Sequence, residues 1–161
     1  MIVYIVRHAW ADHPHWHDDR SRPLTDEGRE RFRKMLGRLV DTDFAPQLVL
    51  TSPLVRCRQT AELIAEAVDV NAEVVVRDEL EPGSNLRGLL RWIRQHASKC
   101  DEMAWVGHVP DVNAMTAALI GDAHALLHFP KGAIAALVFE ETPEVSAGEL
   151  KWLVSAKVLG C

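Results

Sequence analysis

Met1-Ile2-Val3-Tyr4-Ile5-Val6-Arg7-His8-Ala9 opens the chain with an unbroken apolar run that stops abruptly at an arginine and a histidine. The run from Ile2 to Val6 is short and rich in β-branched side chains, the pattern of a strand buried on both faces. A strand of that kind belongs inside a parallel sheet covered by helices. Ligands of such sheets bind outside the carboxyl ends of the strands, so Arg7 and His8 leave this one where chemistry is expected.

Moving outward, residues 10–22 carry His, Asp and Pro without any period and predict a long surface loop. Thr25 then predicts a helix start: its side chain can cap the backbone, Asp26 and Glu27 suit the positive first turn, and Phe32, Met35, Leu36, Leu39 and Val40 form one apolar face. Residues 47–51 read as a second strand. Ser52-Pro53 predicts the next helix, with Ser as N-cap and Pro at the first helical position, and Cys57, Ala61, Ile64, Ala65 and Val68 facing inward. Glu62 and Glu66 are left toward water. A third strand is expected at 73–76, a loop at Glu79-Leu80-Glu81-Pro82-Gly83, and an amphipathic helix through Leu86, Leu89, Leu90, Ile93 and Ala97. Residues 103–106 form a fourth strand, Gly107-His108-Val109-Pro110 turns into a helix ending near Gly121, and strands at about 133–139 and 150–156 close the chain.

Strands alternating with helices predict one α/β domain over residues 1–161, a three-layer α/β/α arrangement on a mostly parallel mixed sheet of about six strands. The last two strands supply an antiparallel edge. With 161 residues, 48% hydrophobic and 25% charged, the chain can bury a core of its own. A net charge of -5 argues against nucleic acid as a partner, because phosphate-backbone binding needs clustered Lys and Arg. Cys57, Cys100 and Cys161 form no C-x-x-C pair and predict neither a disulfide framework nor a thiolate zinc site. The start lacks signal-peptide features and no apolar run reaches spanning length, so the expected location is the cytoplasm, away from membranes. Cys57 beside Arg56 can be read as a nucleophile, but with no base or phosphate loop it reads better as a packed thiol.

Three segments then converge on one rim: Arg7 and His8 after strand one, Ser52 and Arg56 after strand two, Gly107 and His108 after strand four. Two guanidinium groups, two imidazoles and a helix N-terminus make an anion site suited to phosphate oxygens. A neutral imidazole can attack phosphorus, splitting one displacement into transfer onto the enzyme and then onto water, with either His8 or His108 as nucleophile. No metal or other cofactor is needed for this scheme.

The same residues carry a resemblance. Val6-Arg7-His8-Ala9, Arg22-Pro23-Leu24-Thr25 with Glu27-Gly28, Ser52-Pro53-Leu54-Val55-Arg56-Cys57-Arg58-Gln59-Thr60-Ala61 and Val106-Gly107-His108-Val109-Pro110 together resemble the histidine phosphatase superfamily. This is the phosphoglycerate mutase-like family, and the likeness, spanning nearly the whole chain, is to its short SixA-type phosphohistidine phosphatases. It implies a phosphoglycerate mutase-like fold, catalytic residues His8, Arg7, Arg56 and His108, and no metal. His8 is then the phosphorylated nucleophile, Arg7 and Arg56 clamp the phosphoryl oxygens, and His108 hydrogen-bonds the same group. Ala9 stands where the family commonly has Gly, a small change beside a phosphate.

Larger members use a Glu near Glu79 or Glu81 as proton donor to an alcohol leaving group, so those two residues are the candidate acids, with solvated loop charges as the alternative reading. Imidazole, with a reference pKa of about 6.5, leaves without such help, whereas an alcohol resembles water, near 15.7. The expected substrate is therefore a protein-borne phosphohistidine, for example on a histidine phosphotransfer domain in signalling. A phosphomonoesterase of small metabolites and a non-catalytic phosphate-binding module are the alternatives. His13, His15 and His17 alternate beside Asp12, Asp18 and Asp19, and this loop reads as a lid or substrate contact, with Trp16 in it, or else as a metal chelator. Trp92, Trp105 and Trp152 lie in helix or strand patterns and read as packing.

Overall fold

Alternate residues of β1 (Ile2–Arg7) feed two cores: Val3 and Ile5 point to one, Tyr4 and Val6 to the other, and all four are buried. The computed structural model describes residues 1–13, 17–68 and 70–161. In it β1 is flanked by β4 (Glu102–Gly107), parallel, and β5 (Ile134–Val138), antiparallel. With β2 (Leu48–Thr51), β3 (Glu73–Val76) and β6 (Glu149–Val154) the sheet runs β3-β2-β4-β1-β5-β6. β2 pairs in parallel with both β3 and β4, and β6 closes the other edge against β5 in antiparallel register. The mixed sheet with an antiparallel edge is the expected one.

Helices α1 (Asp26–Val40) and α2 (Val55–Ala67) cover one face through Phe32, Met35, Leu36, Ala61 and Ile64. Helices α3 (Leu86–His96) and α4 (Asp111–Leu119) cover the other through Leu89, Ile93, Val112 and Met115. Burying each such aliphatic or aromatic side chain stabilises the fold by about 1.5–3 kcal/mol relative to leaving it in water. Thr25 caps α1 as expected, its hydroxyl oxygen accepting from Gly28 N at 3.0 Å. Gly28 has to be glycine for close packing, because a Cβ there would meet the Trp10 carbonyl oxygen at 2.4 Å.

Some local expectations shift. Helix α2 starts at Val55, with Leu54 at its cap position and no side-chain cap, so Ser52 and Pro53 precede it. The Ser52 hydroxyl is wholly buried; it accepts from Leu54 N at 3.4 Å and has a closer tertiary partner, described below. Leu63 is buried and Ala65 only half-buried, because α2 packs against α1 as well as the sheet and its apolar face is correspondingly wider. Glu62 and Glu66 are exposed, as expected. Asp78–Leu80 forms a 3₁₀ turn within the expected loop, anchored by buried Leu80. Trp105 is fully buried, while Trp92 and Trp152 pack partly buried against the two cores. Among the described residues no helix is long and apolar enough to cross a membrane.

Candidate active site

Register brings the ends of β1, β2 and β4 level. Arg7 pairs with Gly107 and Thr51 with Val106, so the residues that follow, His8, Ser52 and His108, become neighbours. His8 N donates to Gly107 O at 3.0 Å and Ser52 N to Val106 O at 3.1 Å. The two imidazole rings stand 5.7 Å apart between centroids, tilted by 57°. Both are buried, with His8 6% and His108 4% exposed.

His8 Nδ1 lies 2.8 Å from the carbonyl oxygen of Ala9. A carbonyl only accepts, so Nδ1 carries the proton and Nε2 keeps its lone pair. Burial pushes the His8 pKa down to about 3, and the positive groups around it, Arg56 first, add to the effect against the opposing pull of the Ala9 carbonyl. The ring is therefore neutral, with a fixed tautomer and a free Nε2 lone pair.

His108 is tied differently. Its Nε2 is 3.0 Å from Ser52 Oγ and its Nδ1 3.4 Å from Arg56 Nη2. Because a guanidinium only donates, Nδ1 accepts and the Nε2 proton goes to Ser52. Burial, then Arg56, pushes this ring down to about 4. Cys57 Sγ sits 3.6 Å from His108 Nε2, and burial pushes the thiol up to about 12, so it packs as a protonated thiol.

Arg56, in the first turn of α2, is 4% exposed, whereas Arg58 faces water. Arg56 Nη1 donates to Asp19 O at 2.7 Å and Nη2 to Asp19 Oδ2 at 3.0 Å. Arg7 Nη1 donates to Phe129 O at 2.7 Å. The Nε donors of both arginines are buried and have no hydrogen-bond partner among the described residues. One hydroxyl joins two of the site's segments: Thr60 Oγ1 accepts from Ala9 N at 3.0 Å and donates to Arg56 O at 2.7 Å.

Asp19, Thr60 and the Ser52 partnership lie beyond what sequence patterns showed. Asp19 lies in a 3₁₀ turn (Asp19–Ser21) and also binds Arg22, whose Nη2 is 2.8 Å from Oδ1. Burial works to raise its carboxyl, but Arg22 and Arg56 outweigh that and hold it below the usual carboxylate range. The juxtaposition of Asp18-Asp19-Arg20 with Arg22 was the available signal of an ion-pair cluster. Among the described residues neither Glu79 nor Glu81 hydrogen-bonds to His8 or His108. Glu79 is paired with Arg77 at 2.6 Å and Glu81 with Arg20 at 2.6 Å, and each arginine holds its carboxyl below the usual range. Of the histidine-rich loop, His15 and Trp16 lie outside the described residues. Among the described residues no group of three or more His, Cys, Asp or Glu could hold a metal ion.

Two histidines and two arginines gathered at the carboxyl rim of such a sheet make an arrangement suited to a phosphoryl group. Residues 3–84, just over half of the chain, match the model of the histidine phosphatase superfamily (branch 1). The chain belongs to that superfamily and is a phosphatase. An uncharacterised protein of Picosynechococcus is 35% identical over 121 residues, covering 74% of this chain and 73% of that protein. The phosphohistidine phosphatase SixA of Escherichia coli is 26% identical over 157 residues, covering 96% and 94% of the two chains. A solved structure of the protein histidine phosphatase SixA complexed with tungstate superposes with a TM-score of 0.85 at 26% identity over 99% of both chains. The phosphoglycerate mutase-like α/β fold of SixA is thus the fold of this chain, including the His108 segment that the family model does not reach.

Proposed function

We propose that this phosphatase removes the phosphoryl group from a histidine of another protein, through a phosphohistidine formed on His8. The observation that carries the reading is the neutral, tautomer-fixed His8 ring beside Arg7, Arg56 and His108. The substrate enters with its other ring nitrogen protonated; the Nε2 lone pair attacks phosphorus and the bond from phosphorus to the substrate nitrogen breaks, returning its electron pair to that nitrogen, so the side chain departs as neutral imidazole. The Nδ1 proton stays on His8, held by Ala9 O. Water then attacks phosphorus, the His8 Nε2–P bond breaks with its electron pair returning to Nε2, and inorganic phosphate leaves as dihydrogen phosphate carrying both protons of the water. Arg7 and Arg56 hold the equatorial oxygens, where charge spreads in both steps, and their unspent Nε donors suit an incoming anion. His108 adds a hydrogen bond once its Nε2 proton turns from Ser52.

The leaving group supports this substrate. Glu79 and Glu81 are held as ionised partners of arginines, which makes them poor proton donors, and imidazole needs little acid help. The span from Gly83 to Met103 is occupied by α3 and its short connections, which leaves no insertion to wall in a small metabolite. A phosphorylated histidine phosphotransfer domain fits these requirements as partner.

The deciding experiment offers the purified enzyme a phosphohistidine protein and a panel of sugar phosphates. Turnover should favour the protein, with acid-labile label trapped on His8, and His8→Asn should lower turnover by on the order of 10⁴-fold or more. Glu79→Gln and Glu81→Gln should leave turnover within about threefold, since general acids contribute on the order of 10²-fold or more where they act. Faster turnover of sugar phosphates, lost on removing either Glu, would reject this reading. Absence of both label and hydrolysis would instead identify a binding module.

A further inference from the structure

Beside the site, on the β5–β6 side of the same rim, lies a groove that the chemistry above does not use. Val6 pairs with Ile134 and Ile134 with Val154, so residues 128–133 and 155–157 reach the rim at which β1 delivers His8. The connection is direct. Gly132 N donates to the His8 carbonyl at 3.1 Å, Phe129 O accepts from Arg7, and Trp10 follows His8 by two residues. Two adjoining depressions of about 360 and 220 Å³ share Trp10, Arg31 and Lys131.

The lining is cationic on a chain whose net charge is -5. Arg31 lies over the Trp10 ring at 4.4 Å and donates from Nε and Nη2 to the Cys161 oxygen at 3.3 and 3.0 Å, and Lys131, Lys157 and His128 line the same groove. Lys131 and Lys157 are exposed and have no ion-pair partner among the described residues. Glu27 is the one carboxylate among the described residues of the lining. Two ammonium groups without an ion-pair partner among the described residues attract an anionic surface, and the half-buried Trp10 ring beside Arg31 offers an apolar contact.

We infer that this groove docks an acidic segment of the protein that carries the phosphorylated side chain, setting the substrate histidine over His8. The inference rests on the proposed function, and it names what a protein substrate would have that a small phosphorylated molecule lacks. Binding of this kind acts on association and is weakened by salt.

The test compares wild type with the double variant Lys131→Glu, Lys157→Glu on two substrates, a phosphorylated histidine phosphotransfer domain with an acidic surface and phosphoramidate. Both lysines are exposed and outside the catalytic machinery, and thermal unfolding checks that the variant is folded. The expected result is a rise in KM for the protein on the order of tenfold, with a flatter salt dependence, and unchanged turnover of phosphoramidate. If wild type processes the protein but the variant does so equally well, or loses both substrates in proportion, the groove is not the docking site. If wild type hydrolyses phosphoramidate and leaves the protein untouched, the phosphohistidine reading fails first and the groove assignment falls with it.

Discussion

Thr60 shows how much one side chain does here. Its hydroxyl sits between the Ala9 amide and the Arg56 carbonyl, tying the segment that carries His8 to the helix that carries Arg56. It is also wholly buried, so nothing replaces it when it is removed. Thr60→Val keeps the shape and leaves the Ala9 N–H unpaired, a cost of about 1–3 kcal/mol. In a chain of this size that lowers Tm by about 2–4 °C for each kcal/mol. The expected outcome is a lower Tm by thermal denaturation together with a fall in kcat, both restored by Thr60→Ser; an unchanged Tm would show that the bond contributes nothing. The same scale separates the two histidines. His8 gives its Nδ1 proton to a carbonyl of its own loop and keeps Nε2 free, whereas His108 is engaged at both nitrogens by Ser52 and Arg56. From chemistry alone either ring could serve as nucleophile, the family resemblance points to His8, and the hydrogen bonds suit that assignment.

Among the elements, α1 and the 3₁₀ turn at Asp19–Ser21 hold the site from one side. The turn reaches Arg56 through both the backbone and the side chain of Asp19, while its Arg20–Glu81 pair is largely exposed and adds little. Helix α1 reaches the site through its first turn, where Gly28 lies against the Trp10 carbonyl and Thr25 N donates to that same oxygen at 3.0 Å. Backbone oxygen cannot retreat as a flexible side chain would. Gly28→Ala should therefore cost about 1–3 kcal/mol through overpacking and shift the His8-Ala9-Trp10 segment. A reduced Tm with a raised KM for the protein substrate is expected, and wild-type values for both would mean that α1 moves aside freely. The helices and strands themselves were legible, because apolar spacing follows from local geometry: the faces of α1 and α3 and the strands at β1 and β4 lie where period and burial require. The start of α2 was not. Ser52-Pro53 has the local chemistry of a cap, but the Ser52 hydroxyl is drawn to His108, a residue 56 positions away.

At the scale of the whole molecule, the buried histidines couple stability to pH. Unfolded, each has a pKa of about 6.5. Folded, burial holds His8 at about 3 and His108 at about 4. Between those values the unfolded chain binds more protons, so stability is complete above about pH 6.5 and falls as pH drops toward 4, by up to about 1.4 kcal/mol per pH unit for each ring. Calorimetry from pH 7 to 4.5 should show Tm falling, and His8→Asn, His108→Asn should flatten that profile; an equally steep profile in the variant would place the pH dependence elsewhere. The sequence by itself determined the alternation of strands and helices and the gathering of His8, Arg7, Arg56 and His108 at the carboxyl rim, because hydrophobic period and strand ends are local properties of the chain. Only the tertiary structure decided which groups those side chains engage. The pairing of Arg7 with Gly107 sets His8 beside His108, and long-range hydrogen bonds to Asp19, Ser52 and Phe129 then orient the side chains around them. Such partners depend on register and packing across the sheet, which no stretch of neighbouring residues contains.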